Sequence, residues 1–270
     1  MLKKVIRNIV SKKTPRWPLP LYDNNIQPHF FFLVTPPYSG STAIAKILET
    51  SHKIMALHSN AEGQWIVPGL CEKDRWDPDK KINYESVKAV WLHTFQKEKK
   101  RNPSLQVVIE KSPPNILRIK KLSSQFSDSS FVVNNRDPYA NCASILYRNH
   151  NAENISDDIR IETLQTLTRD WIMRSRYLKE FVIKSKTPLI TYEKFCENPS
   201  NLIEVLDLPA GVSDTINLNA KVKVKDYNIQ GISNHNKQQI SNLSGLEIEC
   251  ISGILKSEIP LLEFFGYGLM

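Results

Sequence analysis

Phe30-Phe-Phe-Leu-Val-Thr-Pro-Pro-Tyr-Ser-Gly-Ser-Thr-Ala-Ile-Ala-Lys-Ile-Leu48 is the stretch that decides the fold. Five apolar residues of strand type break at Pro36-Pro37, a small-residue turn Ser39-Gly-Ser-Thr42 follows, and Ile44, Ile47 and Leu48 then recur at helical spacing. A strand feeding a short Gly/Ser/Thr loop into a helix makes a cradle for an anion. The first helical N–H groups lack partners, and the helix dipole favours negative charge there. Gly40 lets the backbone approach the anion, and the Ser41 and Thr42 hydroxyls add donors. Walker A loops end in Gly-Lys-Ser/Thr, whereas here Ser41 occupies the lysine slot. An ordinary strand–turn–helix with no ligand is the competing reading of the loop by itself.

Working outward, strand-type runs recur at 106–110, 130–135 and 188–192, and helical patterns separate them at 42–50, 82–100, 115–126, 138–148 and 158–185. That alternation predicts an α/β fold, a parallel β-sheet flanked by helices. In such sheets ligands bind at the carboxyl ends of the strands, where the loop at 35–42 falls. The last helix, about 246–258, is expected to end near Pro260. Residues 1–28 carry Pro15, Pro18, Pro20 and Pro28 and read as a basic lead-in to a domain spanning 29–270.

The chain has 270 residues and a formal net charge of +8. Lys3, Lys4, Arg7, Lys12, Lys13 and Arg16 all precede the first acid, Asp23, so the remainder is close to balanced and no basic nucleic-acid face is indicated. No apolar run reaches the roughly 18 residues of a membrane span, and the N-terminus makes a poor secretory signal. Cys71, Cys142, Cys196 and Cys250 lie far apart, without zinc-site or disulfide spacing. They suit reduced thiols, and a cytoplasmic setting is expected.

A second anchor follows the run at 130–135. In Arg136-Asp-Pro138, Asp137 suits a helix cap and Pro138 the first helical position. Arg136 would then stand at a strand end beside a helix start, where its guanidinium fork can hold a phosphate or pair with a carboxylate. Ser144 and Arg148, four apart, share a helix face.

Taken together, Pro37-Tyr-Ser-Gly-Ser-Thr42, Glu110-Lys-Ser-Pro113, Arg136-Asp-Pro138 with Ser144, and Tyr192-Glu193 resemble, in order and spacing, the sulfotransferases that use 3′-phosphoadenosine 5′-phosphosulfate. The likeness is greatest to the branch of tyrosylprotein sulfotransferases and their bacterial relatives. It implies the three-layer sulfotransferase fold, related to nucleotide kinases with a phosphate-binding loop. It implies that Tyr38, Ser39, Gly40, Ser41 and Thr42 cradle the 5′-phosphosulfate, that Arg136, Ser144 and Arg148 hold the 3′-phosphate, and that Tyr192 packs near the nucleotide. Lys111 matches a lysine that steadies charge on the transferring group. Glu62, in Ala61-Glu-Gly-Gln-Trp-Ile-Val-Pro68, matches the catalytic base, with His58 in reserve. A hydroxyl-bearing acceptor (glycan, tyrosine or small molecule) would attack sulfur in line, releasing 3′-phosphoadenosine 5′-phosphate without a metal. The acceptor's identity and the oligomeric state stay open.

One departure stands out. The family carries Lys or Arg where this chain has Tyr38, and a phenol supplies no charge to the leaving phosphate. Losing one such stabiliser costs about 10²–10³ in rate. Lys111 or Lys46 could replace it, and Lys225 and Lys237 are the regional candidates for a C-terminal nucleotide contact. Two alternatives remain: a degenerate kinase or nucleotide hydrolase, and a nucleotide-binding protein without catalysis.

Overall fold

The computed structural model describes residues 22–150, 152–224 and 228–270. The first 21 residues of the lead-in, and Lys225, lie outside the described residues. Five parallel strands form one sheet: β1 (His29–Val34), β2 (Ile54–Ala56), β3 (Val107–Glu110), β4 (Ser129–Asn135) and β5 (Leu189–Thr191), in the order β2-β3-β1-β4-β5. β1 lies at the centre, with Phe32 beside Glu110 of β3 and Val34 beside Val133 of β4. Its run is apolar without alternation because both faces are covered, as central parallel strands require.

Period-two geometry divides that run between two layers. Phe31 and Leu33 pack with Ile44, Ile47 and Leu48 of α1 (Ser41–Leu48) and with Phe195 of α6 (Tyr192–Glu197). Phe30 and Phe32 face Trp91 and Phe95 of α2 (Tyr84–Lys99) and Leu122 of α3 (Ile119–Gln125). Val34 and Val133 join a third cluster. It contains α4 (Pro138–Asn149), the 29-residue α5 (Asp157–Ser185), α8 (Gly245–Leu255) and α9 (Ile259–Phe265). A short α7 (Asn236–Ile240) lies between. Each fully buried aromatic or aliphatic side chain contributes roughly 1.5–3 kcal/mol.

Local chemistry sets the boundaries. The Asp137 carboxylate accepts from Ala140 N at 2.9 Å, and Pro138 opens α4. Ser244 and Glu247 form a reciprocal capping box at α8. Two expectations need correction. Pro260 does not stop the last helical stretch; it lies in the first turn of α9, where its missing N–H has no intrahelical bond to lose. Tyr192 is not the end of the strand but the first residue of α6, which is capped by the Thr191 hydroxyl. The three-residue β2, Ile54-Met-Ala56, went unread; unlike β5 it carries no β-branched or aromatic neighbours that extend the run. The end of the lead-in docks on α2: Gln96 Nε2 donates to the carbonyls of Asp23 and Ile26 at 2.7 and 2.9 Å.

Candidate functional site

Every strand delivers a candidate residue at its carboxyl end. β1 leads to Tyr38–Thr42, β2 to His58 and Glu62, β3 to Lys111, β4 to Arg136 and β5 to Tyr192. These residues, with Ser144 and Arg148 of α4, line one cavity of about 730 Å³. Such a volume lies well inside the range of small-molecule sites. Ser39 is the exception. It is fully buried, its Oγ accepts from Asn141 Nδ2 at 3.3 Å, and it supports the loop from beneath without lining the cavity.

The loop is held from outside. Asn134 Nδ2 donates to Thr35 Oγ1 and to the Ser39 carbonyl at 2.9 and 2.8 Å, and Asn141 Nδ2 donates to the Pro37 carbonyl at 2.8 Å. Gly40, at φ +75°, caps α1, and no side chain caps that helix start. An added Cβ at Gly40 would stand 2.2 Å from Tyr192 Cδ2, so this position requires glycine for its backbone angle and for the ring's approach. Tyr38 also adopts a positive φ of 61°, and its hydroxyl donates to Asn149 Oδ1 on α4.

Arg136 is 4% exposed and closes the other side. Its Nη1 donates to the Tyr38 carbonyl at 3.0 Å, Nε to Asn236 Oδ1 at 2.9 Å and Nη2 to Gln239 Oε1 at 2.6 Å, while its guanidinium stacks 4.3 Å from the Tyr192 ring centroid. All three acceptors are neutral, and a guanidinium has five N–H donors. The cation is thus fixed next to the loop by neutral acceptors, with the Glu193 and Asp137 carboxylates near enough to act on its charge. The Tyr192 hydroxyl donates to the Ser233 carbonyl and accepts from His235 N, both at 3.0 Å, which ties the 233–240 segment over this end.

Across the cavity, Lys111 Nζ lies 3.2 Å from Glu62 Oε1. Glu62 Oε2 accepts from Gln64 Nε2 at 3.1 Å and Trp65 Nε1 at 3.0 Å. Burial by itself would raise the Glu62 carboxyl, but the Lys111 charge and these three donors outweigh it and hold the group below its ordinary value. It is therefore ionised at neutral pH. Burial draws the Lys111 ammonium below its usual value, with the Glu62 carboxylate opposing.

Both turns that present this pair converge on Glu110. That fully buried carboxyl accepts from Ser112 N at 2.8 Å, from Asn115 Nδ2 at 3.0 Å and from Gly63 N. Desolvation pushes it up to about 7.

Several contributors escaped sequence reading. Asn134 and Asn141 carry the loop, Asn236 and Gln239 hold Arg136, and Glu193 accepts from Asp137 N at 3.0 Å and Asn236 Nδ2 at 2.7 Å. Only Glu193 had a signal, through its place beside Tyr192. Lys46 pairs with Glu49 at 2.7 Å, and neither it nor Lys237 lines the cavity, whereas Lys111 and His58 do. Among the described residues, no group of three or more His, Cys, Asp or Glu side chains could hold a metal, and no helix is long and apolar enough to cross a membrane.

An open helix start, a fixed arginine and a lysine–carboxylate pair surround one cavity at the carboxyl rim of an α/β sheet. Solved structures that share this architecture include sulfotransferases. The chain is similar to sulfotransferase STF9 from Mycobacterium avium, with TM-score 0.55 and 13% identity over 90% of this chain and 78% of that one. It is also similar to the sulfotransferase domain of the Synechococcus PCC 7002 olefin synthase, with TM-score 0.52 and 16% identity over 90% of this chain and 96% of that one. A sulfotransferase from Alicyclobacillus acidocaldarius gives TM-score 0.50 and 12% identity over 90% of this chain and 98% of that one. No protein-family model and no curated protein matches the sequence. At these identities the likeness establishes a shared sulfotransferase fold.

Proposed function

We propose that the protein transfers the sulfuryl group of 3′-phosphoadenosine 5′-phosphosulfate to a hydroxyl acceptor. The observation that carries this reading is the single cavity onto which the loop–helix start, Arg136 and the Glu62–Lys111 pair all open. Backbone N–H groups at residues 40–42 and the Ser41 and Thr42 hydroxyls suit the 5′-phosphosulfate. The remaining donors of Arg136, with Ser144 and Arg148, suit the 3′-phosphate.

In the reaction, the acceptor oxygen forms a bond to sulfur as the bond from sulfur to the bridging phosphate oxygen breaks. The acceptor proton passes to Glu62, and 3′-phosphoadenosine 5′-phosphate departs with its charge stabilised by Lys111 and the loop. Glu62 is ionised, as a proton acceptor must be, and its three donors fix its orientation. The Tyr38 phenol, turned toward Asn149, brings no charge to the leaving oxygen. Lys111 is then the cation nearest the base, and a modest turnover follows. A cytoplasmic setting belongs to the same proposal.

Thermal denaturation with 3′-phosphoadenosine 5′-phosphate tests the donor half. The nucleotide raises the melting temperature of the native protein, and Arg136→Ala abolishes the rise. An equal rise in both proteins removes Arg136 from the site. Magnesium-dependent stabilisation by ATP that the bisphosphate cannot displace would instead favour a kinase or hydrolase.

A further inference from the structure

Besides Glu62 the cavity is lined by Gln64, Trp65, Arg75, Trp76 and Arg174, to which the donor reading gives no role. Trp65 donates its Nε1–H to Glu62, and its ring remains 47% exposed. The Arg75 guanidinium lies 5.9 Å from the Trp65 ring centroid, and that of Arg174 lies 4.5 Å from the Trp76 centroid. Arg174, 8% exposed on α5, gives one bond to Asp170 at 2.6 Å, and its buried Nε has no acceptor.

Gln64 is 2% exposed; its Nε2 donates to Glu62, and its Oε1 has no donor. Turning the amide over would set that oxygen against the Glu62 carboxylate, so the orientation with Oε1 unfilled is the favoured one. Leaving a buried polar atom unmet costs about 1–3 kcal/mol, and Gln64 lines the cavity, so a group entering there can complete its bonding.

We infer that this wall is an acceptor subsite for a saccharide bearing a carboxylate or sulfate group. The inference rests on the sulfuryl-transfer reading and names its acceptor class. A saccharide offers neighbouring hydroxyls, one for Glu62 and one for Gln64 Oε1, whose side chains touch at 3.1 Å. A phenol brings a single hydroxyl and leaves Gln64 unmet. The indole faces give a sugar ring apolar surface to rest on. Among the described charged side chains lining the cavity, the cations Arg75, Lys111, Arg136, Arg148 and Arg174 outnumber the acids Glu62 and Asp170. With Lys111, Arg136 and Arg148 assigned to the donor, Arg75 and those Arg174 donors that Asp170 does not take remain for an anionic substituent, which a guanidinium binds by charge-assisted hydrogen bonds.

The test is calorimetric titration of the full chain, with and without saturating 3′-phosphoadenosine 5′-phosphate. The probes are a glucuronate-containing disaccharide, its methyl ester and an acidic tyrosine peptide. The acid binds at least about tenfold tighter than the ester, the worth of one charged hydrogen bond. Arg75→Gln and Arg174→Gln each narrow that preference to within about threefold. Arg75 lies outside the core, so its variant keeps the test decisive if Arg174→Gln fails to fold. Equal affinity for acid and ester, no binding of the disaccharide, or binding of the peptide alone overturns the assignment. A nucleotide that fails to shift the melting temperature strikes the donor reading, and the titration run without it still reports on the wall.

Discussion

Glu62→Gln isolates the energetics of the site. The Lys111 ammonium is 2% exposed, and Glu62 is its sole ion-pair partner among the described residues. Removing one member of a buried pair typically costs 3–5 kcal/mol, because the other charge is left uncompensated. The Glu62 side chain is 19% exposed, so water offsets part of the loss and about 2–4 kcal/mol is expected. For a chain of this size that corresponds to a melting temperature lower by roughly 5–10 °C. Adding Lys111→Met removes the stranded charge and restores most of the loss, since a well-packed apolar replacement of a buried pair is close to neutral. Urea denaturation of the wild type, both single variants and the double variant completes the cycle. A single variant within about 0.5 kcal/mol of wild type, or a double variant whose loss equals the sum of the singles, refutes the argument.

Four further outcomes follow from the same geometry. Glu62→Gln lowers sulfuryl transfer about 10²–10⁴-fold while leaving nucleotide binding in place; an unchanged rate in a product assay assigns the proton to another group. Gly40→Ala forces a Cβ to 2.2 Å from the Tyr192 ring and costs at least 1–2 kcal/mol from backbone strain, so bisphosphate affinity should fall at least about tenfold. Full affinity in a fluorescence titration would show that the loop yields. Tyr38→Lys restores a cation at the loop and raises turnover by about 10-fold or more toward the 10²–10³ that such a stabiliser supplies; unaltered kcat would make Lys111 sufficient. Stability also depends on pH through Glu110. Its folded value of about 7 lies above the ordinary 4.5, so the folded state binds the extra proton. The resulting stabilisation, on the order of 3 kcal/mol, is complete below pH 4.5 and is lost as pH rises from there through 7. Asp137, desolvated to about 6, adds in the same direction. Chemical denaturation at pH 5 and pH 8 should show Glu110→Gln to be flatter than wild type, and parallel curves would exclude Glu110 as the source.

Much of the site was legible because its residues sit at strand ends, where local pattern fixes position. The apolar run at 30–34 reads as a strand of a parallel sheet, the turn after it falls at the carboxyl rim, and the helix cap at Asp137 puts Arg136 at a strand end, as the structure has them. Other parts had no local signature. Ser39 sits in the same turn as Ser41, yet Asn141 from α4 draws it under the loop, and nothing in the sequence near Ser39 encodes that contact. Gln64 and Arg174 are unremarkable in their own segments. Each becomes informative only where the fold leaves one of its polar atoms buried without a partner.

By itself the sequence determined the alternation of strands and helices, and with it a parallel sheet whose rim carries Gly40, Lys111, Arg136 and Tyr192. That information is local, since side-chain period and cap chemistry act over a few residues. Only the tertiary structure decided which donors Arg136 would spend on Tyr38, Asn236 and Gln239, that Glu62 would meet Lys111, and that two tryptophans and their two stacked arginines would line the same cavity. Those contacts join residues up to about a hundred positions apart, so they exist only once the sheet has set the strand ends side by side.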